Sequence, residues 1–399
     1  MIGIIFWIAV GIVLYTYAGY PLLIAALSRL RRPPVDHTGH LPPLTLIIAA
    51  YNEETVIGAK LEQSLVLDYP ADRLQVIVAA DGSDDRTVEI ASAFADRGVL
   101  VLHRSERAGK LAAITRAVAA TTGNVIVFSD ANNRYESSAL AEMAAPFADP
   151  TVGAVSGRKA VIDDDALGYS EGLYWRYESA IKRWETRFGT TVGVNGEIIA
   201  IRRHLFETAP PGIINDDTWL ARLILRGGLR IAYAERALSI ERVSADATAE
   251  KERRTRMVAG QFQVLLRARR ELPWRRPIVT WQLISHKLLR PLVPLWMGTC
   301  LVTGVLALAF PGNGDGLAAI WTLAHPWNLV FLGGQAIFYT LAVLGGRISG
   351  PVGKAAYLPR FLWDANVAAV HGMARIITGR QTPLWDRVAR REEPLEPAS

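Results

Sequence analysis

Two hydrophobic rhythms alternate along this chain. Residues 2 to 27, IGIIFWIAVGIVLYTYAGYPLLIAAL, contain no charged side chain, a longer run than the roughly 20 apolar residues that carry a helix across a hydrocarbon core. The stretches from Pro291 to Phe310 and from Trp327 to Gly346 have the same character and predict two further transmembrane helices. Between the first run and the other two the apolar runs shorten to LTLIIAAY, LQVIVAAD, VLVLH and NVIVFSD, alternating with helical stretches such as TVIGAKLEQSLVL and AAITRAVAATT. Continuous β-branched runs separated by helices predict a mostly parallel sheet buried on both faces. VGAVSGRKAV and LRIAYAE are further strand candidates, and Asp163 to Arg187, rich in Trp, Tyr and charge, predicts an amphipathic helix lying on the surface, the membrane or an acceptor.

The pattern divides the chain into a transmembrane helix (1–30), an α/β domain (43–260), interfacial helices (261–290), two transmembrane helices (291–346) and a C-terminal region (347–399). Within the last region, residues 355 to 378 carry Arg360, Asp364, His371 and Arg375 and read as interfacial or re-entrant. The first run lacks a basic segment before it and reads as an anchor rather than a cleaved leader. Arg29, Arg31 and Arg32 follow it at once, while the connection PGNGDGLAAIWTLAH has no Lys or Arg. The positive-inside rule then predicts an integral membrane protein with the α/β domain in the cytoplasm and Arg347 and Lys354 on the same side; a bacterial inner membrane is a natural setting for it.

Composition agrees with membrane contact: half of the 399 residues are hydrophobic and eleven are Trp. The net charge of +6 comes from Lys and Arg set beside apolar segments rather than between aromatics on a polar stretch. That arrangement suits anionic headgroups and a diphosphate substrate, and gives no reason to expect nucleic acid. The single cysteine, Cys300, excludes an internal disulfide, and no Cys/His spacing fits a metal, so a metal would be held by oxygen.

In parallel sheets ligands bind beyond the carboxyl ends of the strands. Here those ends are Asn52 to Glu54, Asp81 to Asp85 and Asp130 to Asn132. One acidic strand end is ordinary capping, whereas three on one edge predict a metal and nucleotide site. Asp130 and Asn132, two residues apart, offer hard oxygen donors for Mg²⁺ or Mn²⁺. Asp81 precedes the helix TVEIASAF and fits either a ligand or an N-cap role, and Lys110, after Gly109, is a phosphate-partner candidate. Asp216 and Asp217 precede TWLARLILRGG, where Asp217 is either a cap or a carboxylate base.

The ordered motifs IIAAYNEE, SLVLDYP, VIVAADGSDDRT, RAGKLAA, FSDANN, GVNGEIIAIRR and NDDTWLARLILRGGLR resemble family 2 of the glycosyltransferases over residues 43 to 260. That family includes synthases of the cellulose, chitin and hyaluronan type and ceramide-glucosyltransferase-like enzymes. The resemblance implies a Rossmann-like GT-A fold and an inverting reaction. It places the nucleoside at Tyr51, Asn52, Glu53 and Asp81, the DxD metal motif at Asp130 and Asn132, and the general base at Asp217 beside Asp216. Asn132 replaces the motif's second acid. Asn195 and Gly196 fall where the family lines its acceptor site. Arg256, in RRTRM where processive relatives carry QxxRW, would face the leaving diphosphate; Arg in place of Gln and Met in place of Trp argue against polymer synthesis. The implied function is sugar transfer from a UDP-sugar to a lipid or glycan acceptor in envelope polysaccharide or glycolipid synthesis. A processive synthase and a catalytically silent membrane scaffold are the alternatives.

Overall fold

The structure, a computed structural model, describes residues 1–33, 35, 37–162, 166–242, 247–345 and 350–381. The chain forms two compact units. One comprises Met1–Ile24, Lys251–Leu266 and Trp281–Gln381; the other is built from Ala25–Glu250 and Arg267–Thr280. Asp163, Arg347 and the tail beyond Gln381 lie outside the described residues.

The larger unit holds an eight-stranded sheet of β1 (Leu44–Ala50), β2 (Leu74–Asp81), β3 (Val99–Arg104), β4 (Val125–Asp130), β5 (Arg134–Tyr135), β6 (Val152–Ile162), β7 (Ile198–Arg202) and β8 (Arg230–Arg242), ordered β3-β2-β1-β4-β7-β6-β8-β5. Strand β1 pairs in parallel with β2 and β4, β2 with β3, and β6 with β8. Strand β7 runs antiparallel to both β4 and β6. The six strands expected from the apolar runs all form. Strands β5 and β7 were hidden, β7 because GEIIAIRR reads as the end of a glycine motif rather than as a strand of its own. The parallel register aligns Ala50 with Ala80 and Ala49 with Asp130, so the ends of β1, β2 and β4 emerge together on one edge.

Alternate side chains of these strands, among them Leu46, Ile48, Val76, Val78 and Val127, are buried in one apolar core. Each such burial is worth roughly 1.5–3 kcal/mol relative to exposure. The opposite face is covered too, which is why the strands read as continuous apolar runs rather than alternating ones.

The helix Ala166–Phe188 departs from expectation. It lies on the surface with Leu173, Arg176 and Arg183 exposed, but the face it packs on β6 and β8 is a buried polar stripe that includes Glu178, Lys182 and Glu185. The Glu185 carboxylate accepts hydrogen bonds from the Thr191 hydroxyl at 2.8 Å and the Val192 amide at 3.1 Å. Polar residues at helical spacing therefore face inward here, because their partners come from the following loop.

Among the described residues three helices are long and apolar enough to cross a membrane: Ile2–Arg29, Arg290–Ala309 and Trp327–Leu344. Their bounds lie within three residues of those expected. The first is interrupted by a π-helical turn at Tyr15–Gly19, where Tyr15 shares a 2.8 Å hydrogen bond with Ser285 and accepts another from the Trp281 indole at 2.9 Å. Phe6, Ala9, Cys300, Ala307 and Leu323 form a small core. Residues 350 to 377, where an interfacial or re-entrant segment was expected over 355–378, form one continuous helix through Pro359.

Candidate active site

The site is assembled from the loops that leave the three parallel strands. After β1, Asn52 adopts a left-handed conformation with φ +54°, accessible to Asn at small cost. This turns the chain so that it is stitched to the loop after β2: the Asn52 amide nitrogen donates to Asp84 at 2.6 Å, the Asp84 backbone N–H donates back to Asn52 at 3.1 Å, and the Glu53 N–H donates to Thr87 at 2.7 Å. The Asp81 side chain is buried, and its Oδ2 accepts the backbone N–H groups of Ala108 at 2.8 Å and Gly109 at 2.6 Å. Asp81 is therefore no helix cap; it ties down the loop that carries Arg107 and Lys110. Its Oδ1 is buried without a hydrogen-bond partner, 3.7 Å from the Arg116 guanidinium.

Gly82 allows the two loops to close. Its φ is +70°, and a Cβ there would meet the Arg107 backbone at 2.7 Å. The Arg107 guanidinium lies 3.9 Å from the centre of the Tyr51 ring, a cation–π arrangement. Together with Asp81, Gly109 and Lys110, these two side chains line a pocket over the ends of β1 and β2. Sequence reasoning took Lys110 from the RAGK motif and passed over Arg107, three residues away.

Lys110 opens the helix Lys110–Ala119 and forms an ion pair with Asp130 at the end of β4. Burial alone would lower the basicity of its ammonium. Asp130, Asp216 and Asp217 outweigh that and hold it above its ordinary value, so the group remains a cation. One lysine is thus in the field of all three carboxylates expected to carry the chemistry. The Asn132 Oδ1 is buried without a hydrogen-bond partner. Among the described residues no group of three or more His, Cys, Asp or Glu could hold a metal; of the two donors expected from the sequence, Asp130 is paired with Lys110 and Asn132 offers its amide oxygen. An unpartnered buried oxygen beside a carboxylate fits that chemistry.

Asp216 and Asp217 are the first two residues of the helix Asp216–Arg226, whose cap position is Asn215. Gly196 lies against the base candidate: a Cβ on Gly196 would sit 2.9 Å from Asp217 Oδ2. Asn195, expected beside the acceptor, has a different part to play. It is buried, its amide nitrogen donates to the Gly157 carbonyl at 2.8 Å, and its Oδ1 accepts from Lys182 at 2.6 Å. It therefore anchors the loop before β7. Arg256 lies on the helix Ala247–Leu266, in the other unit.

Beneath the strand ends is a layer that sequence reasoning missed. Asn133 accepts from the Lys60 ammonium at 2.7 Å and donates to the Glu197 carbonyl at 2.9 Å. Lys159 pairs with both Glu197, at 2.6 Å, and Glu241. Burial pushes Lys60 down to about 7, against the pull of Asp130 and Glu197. Burial and then Glu241 push Glu197 up to about 7, against Lys159. The hint in the sequence was Glu197 itself, an acid inside the apolar run GEIIAI.

Residues 45–209 match the family model Glycosyl transferase family 2. The chain is 29% identical over 247 residues to a probable glycosyltransferase, YdaM, of Bacillus subtilis, covering 58% of each protein. It is 32% identical over 190 residues to the beta-monoglucosyldiacylglycerol synthase of Trichormus variabilis, over 46% of this chain and 40% of that protein. An N-acetylglucosaminyltransferase of Sinorhizobium fredii is 23% identical over 317 residues, 75% of this chain and 73% of that one. The chain thus spans under two thirds of the length of the first two of these relatives. In fold it is similar to the mannosyltransferase PcManGT of Pyrobaculum calidifontis, with a TM-score of 0.70 and 22% identity over 96% of this chain and all of that one.

Proposed function

From a chain that carries a glycosyl transferase family 2 domain over residues 45–209, we propose a membrane-bound enzyme that moves a sugar from a UDP-sugar to a lipid or glycan acceptor with inversion. The observation that supports this reading is Lys110, which lines the pocket, pairs with Asp130 and is in the field of the acids that open the 216–226 helix. It joins a nucleotide-facing pocket and a carboxylate base into one site.

In the proposed reaction the acceptor hydroxyl oxygen attacks the anomeric carbon from the side opposite the diphosphate. Asp217 takes the hydroxyl proton as the new bond forms, and the bond from the anomeric carbon to the diphosphate oxygen breaks. The Lys110 ammonium faces the charge that develops on the departing diphosphate. The Asp81 Oδ1, which accepts no hydrogen bond and lies 3.7 Å from the Arg116 guanidinium, offers an acceptor for an N–H of the uracil, and Tyr51 with Arg107 supplies stacking surfaces for it. Asp130 and Asn132 would hold Mg²⁺ or Mn²⁺, and a divalent cation there would neutralise diphosphate charge.

Membrane attachment rests on the three apolar helices, which expose large side chains such as Ile4, Ile8, Val302, Val305 and Ile337. Burying such a surface in lipid removes it from water. The orientation proposed from the arginines after the first helix puts the catalytic unit on the cytoplasmic side, with a bacterial inner membrane as its setting.

The test is sugar transfer by the purified full chain in lipid, across UDP- and GDP-sugars with Mn²⁺ or Mg²⁺, comparing wild type with Asp217→Asn. Loss of the base should lower transfer roughly 10²- to 10⁴-fold while UDP binding persists. Equal rates in the two proteins would remove Asp217 from the mechanism, and turnover confined to GDP-sugars would replace the donor.

A further inference from the structure

The segment 267 to 280, RARRELPWRRPIVT, has two unlike faces. The inner face is fixed to the catalytic unit. Glu271 pairs with Arg222 at 2.9 Å, and both side chains are buried. Arg276 donates to the carbonyls of Leu225 at 3.0 Å and Leu229 at 2.8 Å, closing the end of the 216–226 helix. Leu272, Val279 and Thr280 are buried alongside.

The outer face carries Arg267, Arg269, Arg270 and Arg275, all exposed. Among the described residues none of the four guanidinium groups is in an ion pair, and the segment's single acid is already held by Arg222. Trp274 and Ile278 project from the same segment, 55% and 51% exposed. The Trp274 indole N–H is satisfied within the segment, by the Ala268 and Arg269 carbonyls at 3.2 Å each. Its ring is thereby held outward with no polar demand left to meet. An exposed Trp and Ile among four cations, on a rigid inner face, is the composition of a surface that meets an apolar layer beneath anionic headgroups. In sequence the segment precedes the apolar helix Arg290–Ala309.

We propose that residues 267–278 form a contact for an anionic lipid surface, with Trp274 and Ile278 entering the acyl boundary and Arg267, Arg269, Arg270 and Arg275 taking lipid phosphates. The experiment uses the full chain in bilayer discs of phosphatidylcholine with phosphatidylglycerol, one or the other brominated. The Trp274 signal is isolated as the difference between wild type and Trp274→Phe. Brominated phosphatidylglycerol should quench that signal more strongly than brominated phosphatidylcholine at equal content. The preference should fall about fivefold for each arginine neutralised, read first in the single variants Arg269→Gln and Arg275→Gln and then in Arg269→Gln/Arg270→Gln/Arg275→Gln. These side chains are exposed, so the graded single variants remain informative even if the triple variant folds poorly. Equal quenching by the two lipids in wild type, no quenching of Trp274 by either, or a preference unchanged in the single variants would overturn the proposal. Quenching requires no sugar transfer, so its failure is separable from failure of the transferase reading.

Discussion

At the scale of single residues, the candidate site is built as much from what is missing as from what is present. Gly196 is the clearest case: the carboxylate of Asp217 occupies the space that a Cβ would need. Gly196→Ala is therefore expected to push Asp217 out of line while leaving the pocket at Tyr51, Asp81 and Arg107 intact. A displacement near 1 Å at a reacting group costs on the order of 10²-fold. Transfer kinetics should show kcat falling by about that factor with the donor KM unchanged; a raised donor KM with normal kcat would place Gly196 in the donor pocket instead. Sequence alone pointed to Gly196 but assigned it with Asn195 to the acceptor. Asn195, whose polar atoms are spent on Gly157 and Lys182, could not be told from a ligand-facing residue, and the hold that Asp81 keeps on the loop at Ala108 could not be foreseen, because these partners lie far away along the chain.

At the scale of elements, the parallel strands were legible because burial on both faces writes itself as unbroken apolar runs. The helix Ala166–Phe188 was legible as a helix, but its buried face was not, since that stripe is polar and polar stripes on helices ordinarily face water. The same kind of concealed pairing holds the helix that begins with Asp216 and Asp217. Arg222 on that helix and Glu271 are both buried and share one 2.9 Å contact. Removing one partner of such a pair strands the other charge, at about 3–5 kcal/mol, whereas replacing both by apolar residues is often neutral or stabilising. Glu271→Ala should accordingly lower the thermal midpoint strongly, and Arg222→Met/Glu271→Met should recover most of it. If the double variant proves as unstable as the single one, the pair is required for more than mutual neutralisation, and packing around it carries the cost.

At the scale of the whole molecule, hydrophobic run length located three helices to within three residues of their bounds, because in a membrane-spanning segment composition alone decides. The sidedness of the chain rests on charge, and it is open to a direct test. Cys300 is the only cysteine, so Cys300→Ser gives a background in which single cysteines report their own side of the membrane. With the arginines after the first helix retained inside, a cysteine at Arg32 should react with a membrane-impermeant maleimide only after cells are permeabilised. One at Asp315, between the second and third apolar helices, should react in intact cells. The reverse pattern would put the site of Lys110, Asp130 and Asp217 on the outer side, away from donors made inside the cell, and the proposed transfer from a UDP-sugar would then fail for want of substrate rather than for want of chemistry.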